Sequence, residues 1–154
     1  MPFVLNSQAF PDGGPIPPKY TADGENVSPP LEWNDPPPGT RSYALIVDDP
    51  DAPRGVFKHW AIYNIDGNRD RLPEGVTAGA KVESLGRGVN DFGHPRYDGP
   101  DPPKGHGTHH YHFHLMALDV ERLDLPPKAK VDEVRAAAKP HVLGEAELVG
   151  TYSH

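Results

Sequence analysis

Apolar and polar residues alternate along several short segments of this chain, the period-two pattern that is typical of β-strands. The clearest case is residues 41–48, where Tyr43, Leu45 and Val47 share one face. The opposite face is also largely apolar, which indicates a strand buried between two layers. The same pattern predicts strands over residues 27–34, 59–65 and 109–119, and a strand or extended tail over residues 145–152.

The periodicity changes near the C-terminus, where residues 131–139 are predicted to form a helix. Val131, Val134 and Ala138 fall on one apolar stripe of that helix, and Pro140 should end or kink it. Several strands followed by one late helix predict a β-sandwich or a small sheet assembly with helical decoration. Because no repeat or linker divides the chain, we expect residues 1–154 to form a single domain.

The composition agrees with a folded, loop-rich β protein. Proline and glycine are frequent, at 20 and 16 of the 154 residues, but the patterned apolar runs argue against disorder. The net charge is −7, and lysine and arginine form no cluster along the chain. An electrostatic surface for nucleic acid is therefore not expected.

The chain contains no cysteine, which excludes disulfides, thiolate catalysis and thiolate metal ligands. No stretch reaches the length of a membrane span, and the first residues lack the basic and apolar regions of a signal peptide. We therefore expect a cytoplasmic location. Since no amphipathic basic helix is predicted, we expect at most peripheral contact with a membrane.

Two proline-rich segments carry acidic and histidine side chains. The first is residues 48–53, followed by His59, and the second is residues 97–111. Proline fixes the backbone angle φ and removes a donor, so these segments are predicted to be rigid, exposed turns. Polar side chains held on rigid turns at strand ends can form the lining of a small pocket.

The same two segments carry a family resemblance. The motifs are DDPDAP at 48–53, HW at 59–60 and GPDPPKGHGTHHY at 99–111, with further matching stretches at 20–33, 88–93 and 141–152. In order and spacing the chain resembles the bacterial branch of the phosphatidylethanolamine-binding protein family, the Raf kinase inhibitor-like proteins. The resemblance implies a mostly β fold: a β-sandwich of antiparallel sheets, of Greek-key type, with one or two short helices near the C-terminus.

The resemblance also implies a small anion-binding pocket at one end of the sandwich. Carried over residue by residue, the ligand-binding positions are Asp49, Asp51, Pro53, His59, Gly99, Pro100, His109 and Tyr111. The chain departs from the family at His110, where an arginine is common. Strand alternation places that position on the face opposite His109 and Tyr111, so the change should not empty the pocket. Cysteines common in bacterial members are replaced here by Ala22 and Asp101.

The pocket residues offer donors suited to an anion. His59 and His109 can present ring N–H groups, Tyr111 a hydroxyl, and the glycines of residues 99–107 backbone N–H groups. Two aspartates should repel an anion, so we expect one to pair with a histidine ring, raising the pKa of that ring and fixing its tautomer. The other is expected to accept backbone N–H bonds within its turn.

A second cluster of histidines offers a candidate metal site apart from the pocket. His110, His112 and His114 share one strand face, where alternate rings stand about 7 Å apart. Two such rings and a third ligand could hold Zn²⁺, but the family resemblance requires no metal. The cluster is therefore interpreted as a polar sheet face or a subunit contact, with a metal site as the open alternative. No metal and no other cofactor are expected.

These observations predict a module that binds a small phosphate-bearing or other anionic ligand, with a lipid headgroup as one candidate. The resemblance implies a regulatory or inhibitory role toward protein kinases or proteases, and a homodimer. The alternative is a hydrolase that uses an Asp–His pair or a metal. Because the chain has no nucleophile elbow, phosphate-binding loop or GxGxxG motif, no catalytic residue is assigned and enzyme activity is not expected.

Overall fold

The computed structural model describes residues 2–53, 55–76 and 85–154. Within these ranges the chain forms two antiparallel sheets and one short α-helix. The strands are β1 (Val4–Asn6), β2 (Leu31–Asn34), β3 (Ser42–Asp49), β4 (Phe57–Asp66), β5 (Arg71–Leu72), β6 (Gly86–Arg87), β7 (His109–Leu118) and β8 (Val142–Tyr152). The helix is α1 (Val131–Ala138), and 3-10 helices cover Pro18–Tyr20 and Lys139–His141.

The larger sheet has five strands in the order β6-β4-β3-β7-β8, and the smaller has three in the order β1-β2-β5. When the strands of the larger sheet are taken in chain order, β7 returns to lie beside β3, on the side away from β4 and β6. This is the Greek-key arrangement, in which a fourth strand lies beside the first. The predicted fold class is confirmed.

Every residue of β3 is buried, because the strand has a packed layer on each face. Tyr43, Leu45 and Val47 face the core between the sheets, which also contains Trp33 and Phe113. Ala44 and Ile46 pack on the other side of the sheet in a second cluster, to which α1 contributes Val131, Val134 and Ala138. The apolar character of both faces thus reflects a sheet on one side and a helix on the other.

The predicted elements are found with shifted ends. Residues 41–48 and 109–119 match β3 and β7 to within one residue at either end. β2 begins only at Leu31, because Pro29 and Pro30 cannot donate to a ladder. Residues 145–152 are a strand and not a free tail, since β8 pairs with β7 from Val142 to Tyr152.

The two proline-rich segments meet at one end of the larger sheet. β3 ends at Asp49, and its two antiparallel neighbours, β4 and β7, begin at Phe57 and His109. The C-terminal end of one strand therefore lies between the N-terminal ends of two others. This topology brings side chains from distant parts of the chain to one place.

No helix among the described residues has the length and hydropathy needed to cross a lipid bilayer.

Candidate ligand pocket

A cavity of about 180 Å³ opens at this end of the sheet. Its polar lining consists of Asp49, His59, Asp101, His109 and Tyr111. The remaining walls are apolar, and they are formed by Ala52, Pro53, Phe57, Phe92, Pro102 and Pro103. The cavity is smaller than the roughly 300 Å³ at which drug-sized ligand sites begin, so it has room for a small molecule or for one end of a larger one.

Asp49 is the buried anchor of this lining. Its Oδ2 accepts a hydrogen bond from His109 Nδ1 at 2.6 Å, and its Oδ1 accepts one from the Asp51 backbone N–H at 2.8 Å. The side chains of Asp49 and His109 are only 4% and 2% exposed, so water does not compete for the bond between them. Asp49 alone thus pairs with a histidine ring and accepts a backbone N–H, two roles that were expected of two different aspartates.

Both ring nitrogens of His109 have partners. Nδ1 bonds to Asp49, and Nε2 lies 2.5 Å from Nδ1 of the exposed His106. A carboxylate only accepts, so Nδ1 of His109 carries a proton. His106 therefore occupies the ring position from which His109 could contact a ligand.

His59 is held from the opposite side. Its Nδ1 donates to the backbone carbonyl of Asp98 at 2.7 Å, and the residue is only 4% exposed. Burial lowers the pKa of His59, although the Asp98 carbonyl and nearby carboxylates act in the other direction. At neutral pH the ring is therefore uncharged, with a lone pair on Nε2. This differs from the expectation that His59 presents a ring N–H to an anion.

Tyr111 supplies a hydroxyl donor. Burial, reinforced by the charge of Asp49, raises the pKa of Tyr111 far above its usual value, so the hydroxyl stays protonated. Its ring meets the ring of His59 edge-on, with centroids 5.3 Å apart. The two side chains form one wall of the pocket.

Three predicted site residues lie outside the lining. Asp51 is exposed, and its carboxylate accepts bonds at 2.8 Å from both the backbone N–H and ring Nδ1 of His110. These bonds lower the pKa of Asp51, the ring bond most. Asp51 therefore ties the turn after β3 to the start of β7.

Gly99 and Pro100 join the second proline-rich segment to the loop before β2. The Gly99 N–H donates to Asn26 Oδ1 at 2.7 Å, and the Pro100 carbonyl accepts from the Ala22 N–H at 3.0 Å. A Cβ at Gly99 would stand 2.2 Å from the Tyr20 carbonyl oxygen, so only glycine fits. These contacts hold the second proline-rich segment against the loop before β2, and direct ligand binding by the two residues stays a prediction.

Asn90, in the loop after β6, holds His59 and Asp98 in place, a role that the sequence did not predict. Its Nδ2 donates to the His59 carbonyl at 3.0 Å and to Asp98 Oδ2 at 2.8 Å. Asp98 in turn offers the carbonyl that fixes His59. The role of Asn90 could have been predicted from the stretch at 88–93, which matches the family and also contains Phe92 of the pocket wall.

The other histidines of β7 face away from this pocket. His112 and His114 line a separate groove, together with Asp48 and Arg135. His110 is exposed and bonds to Asp51. Strand alternation thus separates them from His109 and Tyr111, as predicted.

The fold and site define a class: small β-sandwich proteins with a polar pocket where strand ends meet. The sequence matches the phosphatidylethanolamine-binding protein family over residues 6–153. It is 49% identical to a UPF0098 protein of Methanothermobacter thermautotrophicus, over 96% of this chain and 97% of that protein. It is 41% identical to a Mycobacterium tuberculosis protein named as a lipoprotein, LppC, over 98% of this chain and 72% of that protein.

A solved structure gives the same result. YbcL of E. coli, described as a member of the mammalian PEBP family, superposes with a TM-score of 0.93 at 30% identity, covering 99% of this chain and 98% of that one. The chain belongs to the phosphatidylethanolamine-binding protein family.

Proposed function

We propose that the pocket binds a small ligand through a phosphoryl or other anionic group. The observation that supports this most is the Asp49–His109 pair, buried beside the Tyr111 hydroxyl and His59 in a cavity of about 180 Å³. Such a volume suits an inorganic anion or a lipid headgroup better than a whole lipid.

Charge decides which form of ligand fits. Asp49 and Asp101 each add a carboxylate to the lining, and His59 is uncharged near pH 7. Neither lysine nor arginine is among the residues described as lining the cavity. We therefore expect weak binding of inorganic phosphate and tighter binding of a zwitterion such as phosphoethanolamine, whose ammonium group can reach Asp101.

Binding requires His106 to move. Its ring is exposed, whereas His109 is buried, so displacing His106 frees Nε2 of His109 at little cost in packing. With His106 displaced, Nε2 of His109 can contact a ligand oxygen, and Asp49 bonds to the other nitrogen of the same ring.

NMR titration with inorganic phosphate, phosphoethanolamine and sulfate from about pH 5 to about pH 8 tests this proposal. Anion affinity should fall as pH rises, because a protonated imidazole ring binds an anion better than a neutral one does. Sulfate is the control, since its charge is constant over the range and any change reports on the protein. The proposal is contradicted if the sulfate affinity does not change with pH. It is also contradicted if the ligand-induced chemical-shift changes do not include His59 and Tyr111.

Tyr111→Phe is the matching variant. It removes one hydroxyl and keeps the ring, so phosphoethanolamine affinity should fall about tenfold. His110→Ala, on the opposite face of β7, should bind as the wild type does.

We further propose that the protein acts by binding, as a regulatory or inhibitory protein toward a kinase or protease. The support is the family membership and a pocket that could take a phosphorylated side chain. A pull-down from the native cytosol with wild type and the Asp49→Ala, His59→Ala double variant tests this. Partners lost with the double variant depend on the pocket, and a set of partners that does not change contradicts the proposal.

An Asp–His hydrolase is the second candidate, favoured by the 2.6 Å bond between Asp49 and His109. That geometry fixes a histidine tautomer as hydrolases do, with Nε2 as the general base. His106 occupies Nε2, however, and serine, threonine and cysteine are not among the residues described as lining the cavity. Screening phosphomonoesters and carboxylic esters, with and without Zn²⁺, distinguishes the two functions.

A cytoplasmic location and a homodimer remain proposals, carried by the sequence pattern and by the family resemblance. Cell fractionation of the native protein tests the location. Sedimentation of the purified chain at several concentrations tests the dimer.

A further inference from the structure

The outer face of the larger sheet carries a second cluster of side chains, which could bind a metal and which point away from the pocket. His112 and His114 project from β7, and Glu147 projects from the adjacent strand β8, directly opposite His114. One ligand atom from each of the three lies within 4.8 Å of the others. We propose that these three side chains form a binding site for a divalent transition metal, with Zn²⁺ the best match to two imidazoles and one carboxylate.

The two donor-atom spacings between β7 and β8 match those around a tetrahedral ion. Glu147 Oε2 lies 3.2 Å from His112 Nδ1 and 3.3 Å from His114 Nδ1. Zinc bonds of about 2.0–2.1 Å at tetrahedral angles place neighbouring ligand atoms about 3.3 Å apart. A metal could therefore enter with small rotamer changes.

The surroundings of His114 provide an independent indication. With Nδ1 facing Glu147, its other nitrogen, Nε2, lies 3.3 Å from Asp48 Oδ1. Metal-binding histidines typically donate their second ring N–H to a carboxylate, which orients the ring and increases its basicity. Asp48 is itself held by Arg135 at 2.9 Å, so the outer partner is fixed.

The local charges also favour a cation. Glu145 stands 2.9 Å from His114 Nδ1 and adds a second carboxylate beside Glu147. The two basic side chains of the groove are paired, Arg135 with Asp48 and Lys58 with Asp132. Three protein ligands leave one tetrahedral position for solvent or for Glu145. The site would join β7 to the edge strand β8.

Isothermal titration of chelator-treated protein with Zn²⁺ tests the proposal. Wild type should bind one zinc at its tightest site. His112→Ala and Glu147→Gln should each lose about tenfold or more in affinity. His110→Ala removes a histidine from the same strand face but outside the cluster, and its zinc affinity should equal that of wild type. Asp48→Asn should weaken binding while leaving one ion per chain.

Substitution of Co²⁺ gives a second measurement, since a tetrahedral site with imidazole ligands produces intense visible absorption bands. Circular dichroism of each variant shows whether it is folded. If His112→Ala is not folded, the conservative Glu147→Gln still provides the test. The proposal is overturned if wild type binds no zinc stoichiometrically. Binding that survives both ligand substitutions also overturns it, because other histidines would then be responsible.

Discussion

At the scale of single residues, the pocket depends on buried polar groups whose partners were not evident in the sequence. Asp49 accepts from His109 and from the Asp51 backbone, whereas the neighbouring Asp51 remains at the surface. Two aspartates that look equivalent in the motif therefore differ in burial. Their substitutions should differ in cost for the same reason.

Asp49→Ala should lower the free energy of unfolding by about 1–3 kcal/mol, because it leaves the buried Nδ1–H of His109 without an acceptor. Asp51→Ala, the matched control, should cost less than about 1 kcal/mol, since its bonds to His110 are exposed. Urea denaturation of both variants measures the difference. Equal losses would contradict the assignment of Asp49 as the anchor.

His59 makes stability depend on pH with a definite sign. Its folded pKa is lowered below the ordinary value of 6.5 by burial, so near and below that pH the unfolded chain binds more protons. Stability should therefore fall as pH decreases below about 6.5 and level off below the folded pKa.

The contribution of His59 is obtained by comparison with His59→Gln, which is uncharged and keeps an N–H donor for the Asp98 carbonyl. Denaturation midpoints measured from about pH 7 to about pH 5 should fall less steeply in the variant. A steeper fall in the variant than in wild type would show that His59 is protonated in the folded chain.

At the scale of elements, α1 owes its place to an apolar stripe that covers one face of the larger sheet. The spacing of Val131, Val134 and Ala138 predicted that stripe, and all three are buried against β3 and β4. Sequence patterns perform well here because a helical period of 3.6 and a strand period of 2 are local properties. The ends of elements were predicted less well, since they depend on pairing partners.

Val134→Ala should lower the free energy of unfolding by about 2 kcal/mol, because the side chain is fully buried and its loss leaves a cavity. The exposed Ala136→Ser, on the opposite side of the helix, should change it by no more than about 0.5 kcal/mol. Thermal unfolding of both variants provides the measurement. Similar effects would indicate that α1 does not pack as described.

At the scale of the molecule, stability should be concentrated in the middle of the five-stranded sheet. β3 pairs on both sides and is buried throughout, while β1 and β5 are short strands at the edges of the smaller sheet. Long paired strands open only with global unfolding, whereas short edge strands open locally.

Hydrogen exchange followed by mass spectrometry should therefore show the slowest exchange in peptides from β3 and from the central part of β7. Peptides from β1 should exchange orders of magnitude faster under native conditions. Equal protection of the two sheets would mean that they unfold as a single unit. That outcome would contradict the expected hierarchy.

The sequence by itself determined the fold class, the principal strands, the helix and the membership of Asp49, His59, His109 and Tyr111 in one region. It did so because periodicity is local and because the two proline-rich motifs resemble those of a family. The different burial of Asp49 and Asp51, the contact of His106 with Nε2 of His109 and the lowered pKa of His59 were decided only by the tertiary structure.

The same holds for Glu147 and the proposed metal site. Glu147 lies 33 or more positions from the two histidines in the chain, and it meets them only because β8 pairs with β7. Hydrogen-bond partners, burial and the pKa values that follow from them are set by groups distant in sequence. They are fixed only when the strand ends come together.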